Sequence, residues 1–363
     1  MERNFVLAIN PGSTSTKVSI FEREQEIKTF KIDHRKEDLE NYKKIADQYE
    51  YRLRLIKDWL EAENISTDSL IAIVGRGGLL RSMPGGTYSV TDAMIEDLKV
   101  GIQGEHASNL GGMLAKGLAD LKNIPSYIVD PVAVDEFHDI ARISGLKEIP
   151  RKSLVHALNI KAVSHRRAKE LNKNFEDLNL VVAHLGGGIS IAAVEKGKII
   201  DVNNAKEMGP FSPDRAGTLP VGDLVKLCYS GKYTLNEMKT MLQGEGGLFS
   251  YLDTMDGREV EERIKNGDNY ARLIYDAMAY QIGKEIGSYA TVLYGHIDNI
   301  ILTGGLSYSN YLVDRIKEMI DFISEVIVYP GEDEMEALNK GAQRVINGEE
   351  RAKIYEDEVS ISG

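Results

Sequence analysis

The chain predicts an α/β protein of two duplicated domains with a cleft between them. Three observations predict it. Its 363 residues exceed what one hydrophobic core ordinarily organises. Strand-like runs alternate with amphipathic helical runs along its length. The opening pattern also returns near the middle of the chain. "NFVLAINPGSTSTKVSIFEREQEIKTFKID" (4–33) and "LVVAHLGGGISIAAVEKGKIIDVNNA" (180–205) both read strand, turn, strand, tight turn, strand. Unrelated hairpins share the grammar of one turn. A match through three strands argues for duplication.

In chain order, Phe5–Ile9, Lys17–Glu22 and Ile27–Ile32 read as short strands. Leu39–Glu63 reads as one long helix, with Ile45, Leu53, Ile56 and Leu60 sharing a face. Leu70–Val74 is a buried strand ending in "GRGG". Helices are expected over Asp92–Gln103 and His106–Lys122, then a strand at Tyr127–Val129 and a helix over Lys152–Leu171. Past the repeat, the apolar strand in "NIILTGGLS" (299–307) ends in a third glycine turn. A helix over Asn310–Ile320, the strand "EVIVYP" and a final helix over Glu334–Asn347 follow. That last helix is spaced to cross back, so the domains are expected over 1–150 plus 335–363 and over 151–334.

Net charge is −12, which argues against a general nucleic-acid surface and against binding to anionic membranes. No apolar run approaches a membrane span, and Met1–Asn10 lacks the parts of a signal peptide. Cytoplasmic location is expected. The one cysteine, Cys228 in "LVKLCYS", excludes an intrachain disulfide framework and reads as a small core residue.

The turns carry the chemistry. Glycine lets backbone N–H groups approach an anion, hydroxyls add rotatable donors, and lysine adds a point charge suited to phosphate. Asn10–Lys17 ("NPGSTSTK") has all three. His184–Ser190 and Thr303–Ser307 offer two further turns. Each alone is no more than a turn; three in a duplicated α/β chain point to a nucleotide. Familiar alternatives are missing. Gly12 has no second glycine before Lys17, so there is no Walker A loop, and no G-x-G-x-x-G opens a helix after the first strand. Neither H-E-x-x-H, paired C-x-x-C nor the protein-kinase motif set occurs.

A duplicated strand–turn–strand domain with nucleotide between the halves is the plan of the actin, sugar-kinase and Hsp70 group, whose domains are actin-like (ribonuclease H-like). Within it the chain resembles the acetate and butyrate kinases over almost its whole length. "AINPGSTSTKVSIF" is similar to their first phosphate motif, "HLGGGISIAAV" to their second and "ILTGGLS" to their adenosine motif. "GRGGLLRSMPGGTY", "HALNIKAV" and "PFSPDRAGTLPVGD" resemble the butyrate branch. The acetate branch typically carries H-R-V-V-H-G-G, F-H-G-T-S-H and G-T-R-S-G-D there. Two catalytic arginines of that branch would fall at Ile73 and near Leu219; Arg76 and Arg215 lie close by, in shifted positions.

The resemblance implies the reaction ATP + carboxylate ⇌ ADP + acyl phosphate, with Mg2+. It implies that Asn10 and Lys17 lie near the transferring phosphate, with Ser13 and Ser15 as matching hydroxyls. His156 and His184 would donate to the phosphoryl group, and Arg76 and Arg215 would clamp carboxylate and γ-phosphate. His106 would stand near the substrate end. Asp130 and Glu334 would be the magnesium-linked carboxylates. Gly186, Gly187 and Gly188 would pass under the phosphates, Gly304 and Gly305 would approach the adenosine, and Asp256 and Arg258 would bracket base and ribose. For Glu334 the plain alternative is a helix-start acid among Glu332, Asp333 and Glu336; for Asp256 and Arg258 it is a solvated helix-start pair. For Arg76 and Arg215 it is a surface salt bridge. His34, His138, His165 and His296 carry no motif and read as surface or packing residues. Small residues such as Gly75 and Ala157 would permit an acyl chain longer than acetate. Butyrate is the expected substrate; branched-chain, propionate or acetate kinase activity is the related alternative. A slow ATPase of the actin or Hsp70 type, acting through partners, is the competing class. A homo-oligomer formed through the second domain, dimer or higher, is implied as well, and closure of the domains on binding is expected.

Overall fold

The structure, a computed structural model, describes residues 4–359. Twelve strands run, among the described residues, β1 Phe5–Pro11, β2 Ser15–Glu22, β3 Gln25–Asp33, β4 Leu70–Arg76, β5 Thr87–Ser89, β6 Ser126–Val129, β7 Asn179–Leu185, β8 Ile189–Glu195, β9 Lys198–Val202, β10 Asn299–Gly304, β11 Val326–Pro330 and β12 Lys353–Ile354. The chain divides into two compact units, 1–135 with 333–363, and 136–332.

The first unit holds a seven-stranded sheet in the order β12-β5-β6-β4-β1-β2-β3. β1, β2 and β3 form an antiparallel meander, while β4 lies parallel to β1 and β6 parallel to β4. Parallel neighbours need a crossover, and the helix Tyr49–Ala62 supplies the one from the meander to β4. The central strands read as unbroken apolar runs because both their faces are covered. Leu7, Ile9, Ile73 and Ile128 are buried among Ile56, Leu60, Leu110 and Leu114. The helix Glu334–Ile346 packs on β1, β4 and β6.

The second unit repeats the plan as a five-stranded sheet, β11-β10-β7-β8-β9. β7, β8 and β9 are the second meander, with β10 parallel to β7 and β11 parallel to β10. The 24-residue helix Asn269–Val292 buries Ile274, Met278, Ile282 and Ile286 against this sheet. In both units the parallel strands finish along one edge of the sheet, the place where open α/β sheets present loops to ligands.

Several expected elements change. The long helix over Leu39–Glu63 is instead a short helix Lys36–Leu39, a 3-10 turn Ile45–Gln48 and then Tyr49–Ala62. The Asp47 side chain folds back on the Lys44 N–H and starts the turn there. The helix expected from Asp92 to Gln103 stops at Val100, because Gly101 adopts a left-handed φ of 66°. The helix expected from Lys152 begins at Ala157. Residues 136–150, expected with the first domain, pack in the second unit. Glu136 pairs with Lys161 at 2.9 Å, and the His138 N–H donates to Ile200 O. Cys228 is exposed, not in the core, because the helix Val221–Cys228 buries none of its residues.

Candidate active site

In the first unit the β1–β2 register pairs Asn10 with Lys17, which puts both side chains on one face. Between them Gly12 N–H closes the turn onto Ser15 O at 2.7 Å. Ser13 is exposed, Ser15 half-buried and Lys17 exposed. Arg76, the last residue of β4, reaches along the sheet edge. Its Nη1 lies 3.3 Å from Asn10 Oδ1 and 3.2 Å from Glu334 Oε2, and its Nη2 lies 2.8 Å from Glu334 Oε1. Asn10 Nδ2 donates to Glu334 Oε2 at 2.5 Å. Three of the expected residues, far apart in sequence, thus form one network. Glu334 opens its helix, as an acid favoured by the macrodipole would, and it is joined to Arg76 as well.

Asp130 follows β6 on the same edge, since Arg76 pairs with Val129 across the parallel strands. It is buried at φ 38°, and its Oδ1 accepts the Gly86 N–H at 2.7 Å. His106 precedes the helix Asn109–Asp120. It is exposed, and its Nδ1 faces Ser108 Oγ at 2.8 Å at the start of the next helix. Gly75 is not small for the sake of an acyl chain. A Cβ there would lie 2.1 Å from Gly111 O, so glycine is required by the backbone of the helix Asn109–Asp120.

In the second unit His184, 1% exposed, is the penultimate residue of β7. Its Nδ1 lies 2.8 Å from Asn159 Oδ1 and its Nε2 3.0 Å from Glu332 Oε1. His156 stacks on it, with ring centroids 4.1 Å apart and planes at 15°. His156 Nδ1 meets Ser190 Oγ at 2.9 Å. Both rings are therefore fixed in place. Arg215 lies against the glycine turn: a Cβ on Gly188 would be 2.0 Å from its Nη1, which donates to Ala205 O at 2.7 Å. Arg215 is thus packed into the turn, and its Nε also lies 3.7 Å from Asp214 Oδ1, so it pairs with a neighbouring acid as well.

A cavity of about 920 Å³ opens in this unit, lined by Gly186, Gly187, Gly305, Asp256 and Arg258, with Tyr275 on its wall. That is the size of a small-molecule site. Gly188 and Gly304, expected beside the nucleotide, are not part of its lining. Gly304, at φ 89°, packs on Leu185 O where a Cβ would come within 2.5 Å. Asp256 caps the helix Gly257–Lys265 by accepting the Arg258 N–H, and the Arg258 guanidinium holds its carboxyl down at about 2. The pair is both a helix start and part of the cavity lining. Burial pushes the Tyr275 phenol up to about 12.

Sequence reasoning missed four residues here. Glu332, two positions before the favoured Glu334, belongs to the His184 site. Asn159 and Ser190 hold the two histidine rings; their signal was only that polar residues sit in apolar runs. Arg52, fully buried, braces the Gly12–Thr16 turn. Its signal was a cation four residues before Ile56, on the apolar face of a helix. Among the described residues no three His, Cys, Asp or Glu side chains form a metal cage.

The sequence signature of the acetokinase family matches residues 146–355. The chain is 56% identical over 350 residues to "Probable butyrate kinase 2" of Caldanaerobacter subterraneus subsp. tengcongensis, covering 96% of this chain and 99% of that one. Among solved structures it is similar to the acetate kinase of Porphyromonas gingivalis, with a TM-score of 0.77 at 20% identity over 95% of this chain and 100% of that one. The acetate kinase of Entamoeba histolytica gives 0.75 at 16% identity, covering 93% and 99%. At these identities the likeness shows the fold, two actin-like domains.

Proposed function

This chain belongs to the acetokinase family, and from that premise we propose that it phosphorylates a short-chain carboxylate, butyrate by preference, with ATP. The observation that carries the reading is the cavity lined by Gly186, Gly187, Gly305, Asp256 and Arg258, which draws three separate glycine and charge motifs around one space of nucleotide size.

The carboxylate is already ionised, so no base is needed. One of its oxygens attacks the γ-phosphorus, the new O–P bond forms as the bond to the β-phosphate oxygen breaks, and ADP leaves with that electron pair. The barrier is charge and alignment, which positioned cations and donors lower. Lys17 and Arg76 offset the anions, Asn10 fixes Arg76 and Glu334, and His156 donates to the phosphoryl oxygens, while the expected donor His184 is buried with both ring nitrogens held by Asn159 and Glu332 and serves as the ring on which His156 stacks. Arg215 holds the second glycine turn in shape and adds charge beside it. Magnesium binds in such sites through one or two carboxylates plus substrate phosphates, so the lack of a three-carboxylate cage is compatible with it. Asp130 and Glu334 are the residues that would hold it, and it would neutralise phosphate charge.

No helix among the described residues is long and apolar enough to cross a membrane, and we place the enzyme in the cytoplasm. Val221, Val225, Tyr229 and Leu235 are exposed on the second unit, and we assign that face to a homo-oligomer. Acetate, propionate and branched acids are expected as slower substrates, since a hydrophobic pocket separates one methylene by only ~1–3 kcal/mol.

The test is hydroxamate trapping of acyl phosphate with ATP, Mg2+ and separate acetic, propionic, butyric and isobutyric acids. Butyryl product that disappears in Lys17→Ala is expected. ATP binding without acyl phosphate from any acid would overturn the reading and favour a partner-driven ATPase.

A further inference from the structure

Arg52 is fully buried, yet no carboxylate meets it among the described residues. Its guanidinium donates to Gly12 O at 2.9 Å, Ser15 O at 3.2 Å, Ser13 O at 3.4 Å and Thr16 Oγ1 at 3.0 Å. Gln48 Oε1 accepts from Nε at 3.0 Å and from Nη2 at 2.8 Å. Every one of these acceptors is uncharged. A buried ion is ordinarily paired, because desolvation without a counter-charge is costly. Neighbouring His34 contributes no second charge. Burial and then Arg52 lower its pKa to about 4, against the opposing effect of Asp33 and Asp38.

The same bonds set the polarity of the turn. In a planar trans peptide the C=O of one residue points opposite to the N–H of the next. Drawing the Gly12 and Ser13 carbonyls in toward Arg52 turns the Ser13 and Thr14 N–H groups outward. Neither N–H donates to another protein group among the described residues. Ser13 and Thr14 are exposed, as is Lys17 on the strand that follows. The turn therefore has a cation on its inner side and free donors on its outer side, the arrangement of an anion-binding nest.

We propose that Arg52 is a positioning residue whose missing counter-charge is the phosphoryl group bound on the outer side of the Gly12–Ser15 turn. The inference rests on the kinase reading above. It adds a second cation, behind the backbone, to the exposed Lys17 in front of it.

Gln48→Glu tests it without removing Arg52, since the substitution keeps shape and hydrogen bonds while supplying the absent carboxylate. Q48E is expected to unfold at or above the wild-type temperature and to bind AMP-PNP, measured by calorimetry, at least about fivefold more weakly. A folded Q48E that loses less than that overturns the proposal. Should Q48E not fold, Arg52→Lys decides: it keeps the charge and loses the fork, so AMP-PNP affinity within about fivefold of wild type is expected. A larger loss would assign Arg52 to geometry instead of charge. Wild-type acyl phosphate formation is measured alongside. Its absence would fail the kinase reading, while the AMP-PNP titrations would still report on the turn.

Discussion

The two glycine-bearing turns occupy the same place in the two repeats and are built in opposite ways. The first is exposed at Ser13, Thr14 and Lys17, and its bracing arginine lies on the buried side, tied to carbonyls. The second is buried at Gly186 and Gly188, and its arginine lies against the Cα of Gly188. In the first, hydroxyls and a lysine stand beside outward backbone N–H groups, and the turn is held by an arginine of the helix beneath. In the second, the side chains have been cleared from the turn, and two stacked histidines stand at its flank, held by Asn159, Glu332 and Ser190. A duplicated scaffold therefore keeps the strand ends and fills the two turns with different residues. That division suits a reaction with two anions of different kinds, a carboxylate and a polyphosphate.

The comparison breaks first at Arg76. If the first unit supplies charge through side chains, Arg76→Ala should lower kcat/KM for acyl phosphate formation by about 10³-fold, in the range for losing a preorganised charge donor. Its unfolding temperature should change little, because Arg76 is partly exposed. Arg76→Lys should recover only part of the rate, since lysine cannot span both oxygens of Glu334. Steady-state kinetics with melting curves would check this, and a rate near wild type in the alanine variant would remove Arg76 from the site.

Gly188→Ala probes the second turn. Its Cβ would overlap the Arg215 guanidinium, so Arg215 or the turn must shift. A stability loss of about 1–3 kcal/mol is expected, with weaker ADP binding by calorimetry. Unchanged binding would mean that the arginine's seat is irrelevant to the nucleotide.

The first turn should also carry a pH signature. His34 touches Thr16 Oγ1 at 2.8 Å and has its pKa lowered to about 4, chiefly by burial. With a folded value below the unfolded 6.5, the unfolded chain binds the extra proton between the two. Stability from this group is therefore intact above pH 6.5 and falls as pH drops toward 4, by roughly 3 kcal/mol at most. Urea unfolding from pH 7 to pH 4.5 should show the decline, and His34→Gln should flatten it. The smallest effect belongs to Cys228→Ser. On an exposed helix it should change stability by less than about 0.5 kcal/mol, whereas a residue of the core would cost more.

The duplication was legible because the strand ends and turns carry residues chosen for backbone reasons, and those reasons leave a pattern. The meanders lie where alternation and apolar runs put them, extended by a residue or two at their ends. The Asn10–Arg76–Glu334 network needed tertiary structure, because three strand or helix ends meet only once the sheet order is known. Glu332 and Glu334 could not be told apart in a run of acids; two positions of backbone direct them to different partners. Arg52 was hidden because an arginine in an amphipathic helix reads as solvated until its acceptors are seen. Gly75 misled because a missing side chain looks the same whether it leaves room for a ligand or for another backbone.

That last contact bears on attempts to redirect the enzyme. Strand β4 and the helix Asn109–Asp120 meet backbone to backbone at Gly75 and Gly111, and a Cβ on either would lie within about 2 Å of the other element. A mutagenesis library that varies position 75 or 111 would fill with unfolded clones and reveal nothing about acyl preference. Diversity is better spent on positions where the wall is made of side chains, and these two glycines are better left as fixed points of the scaffold.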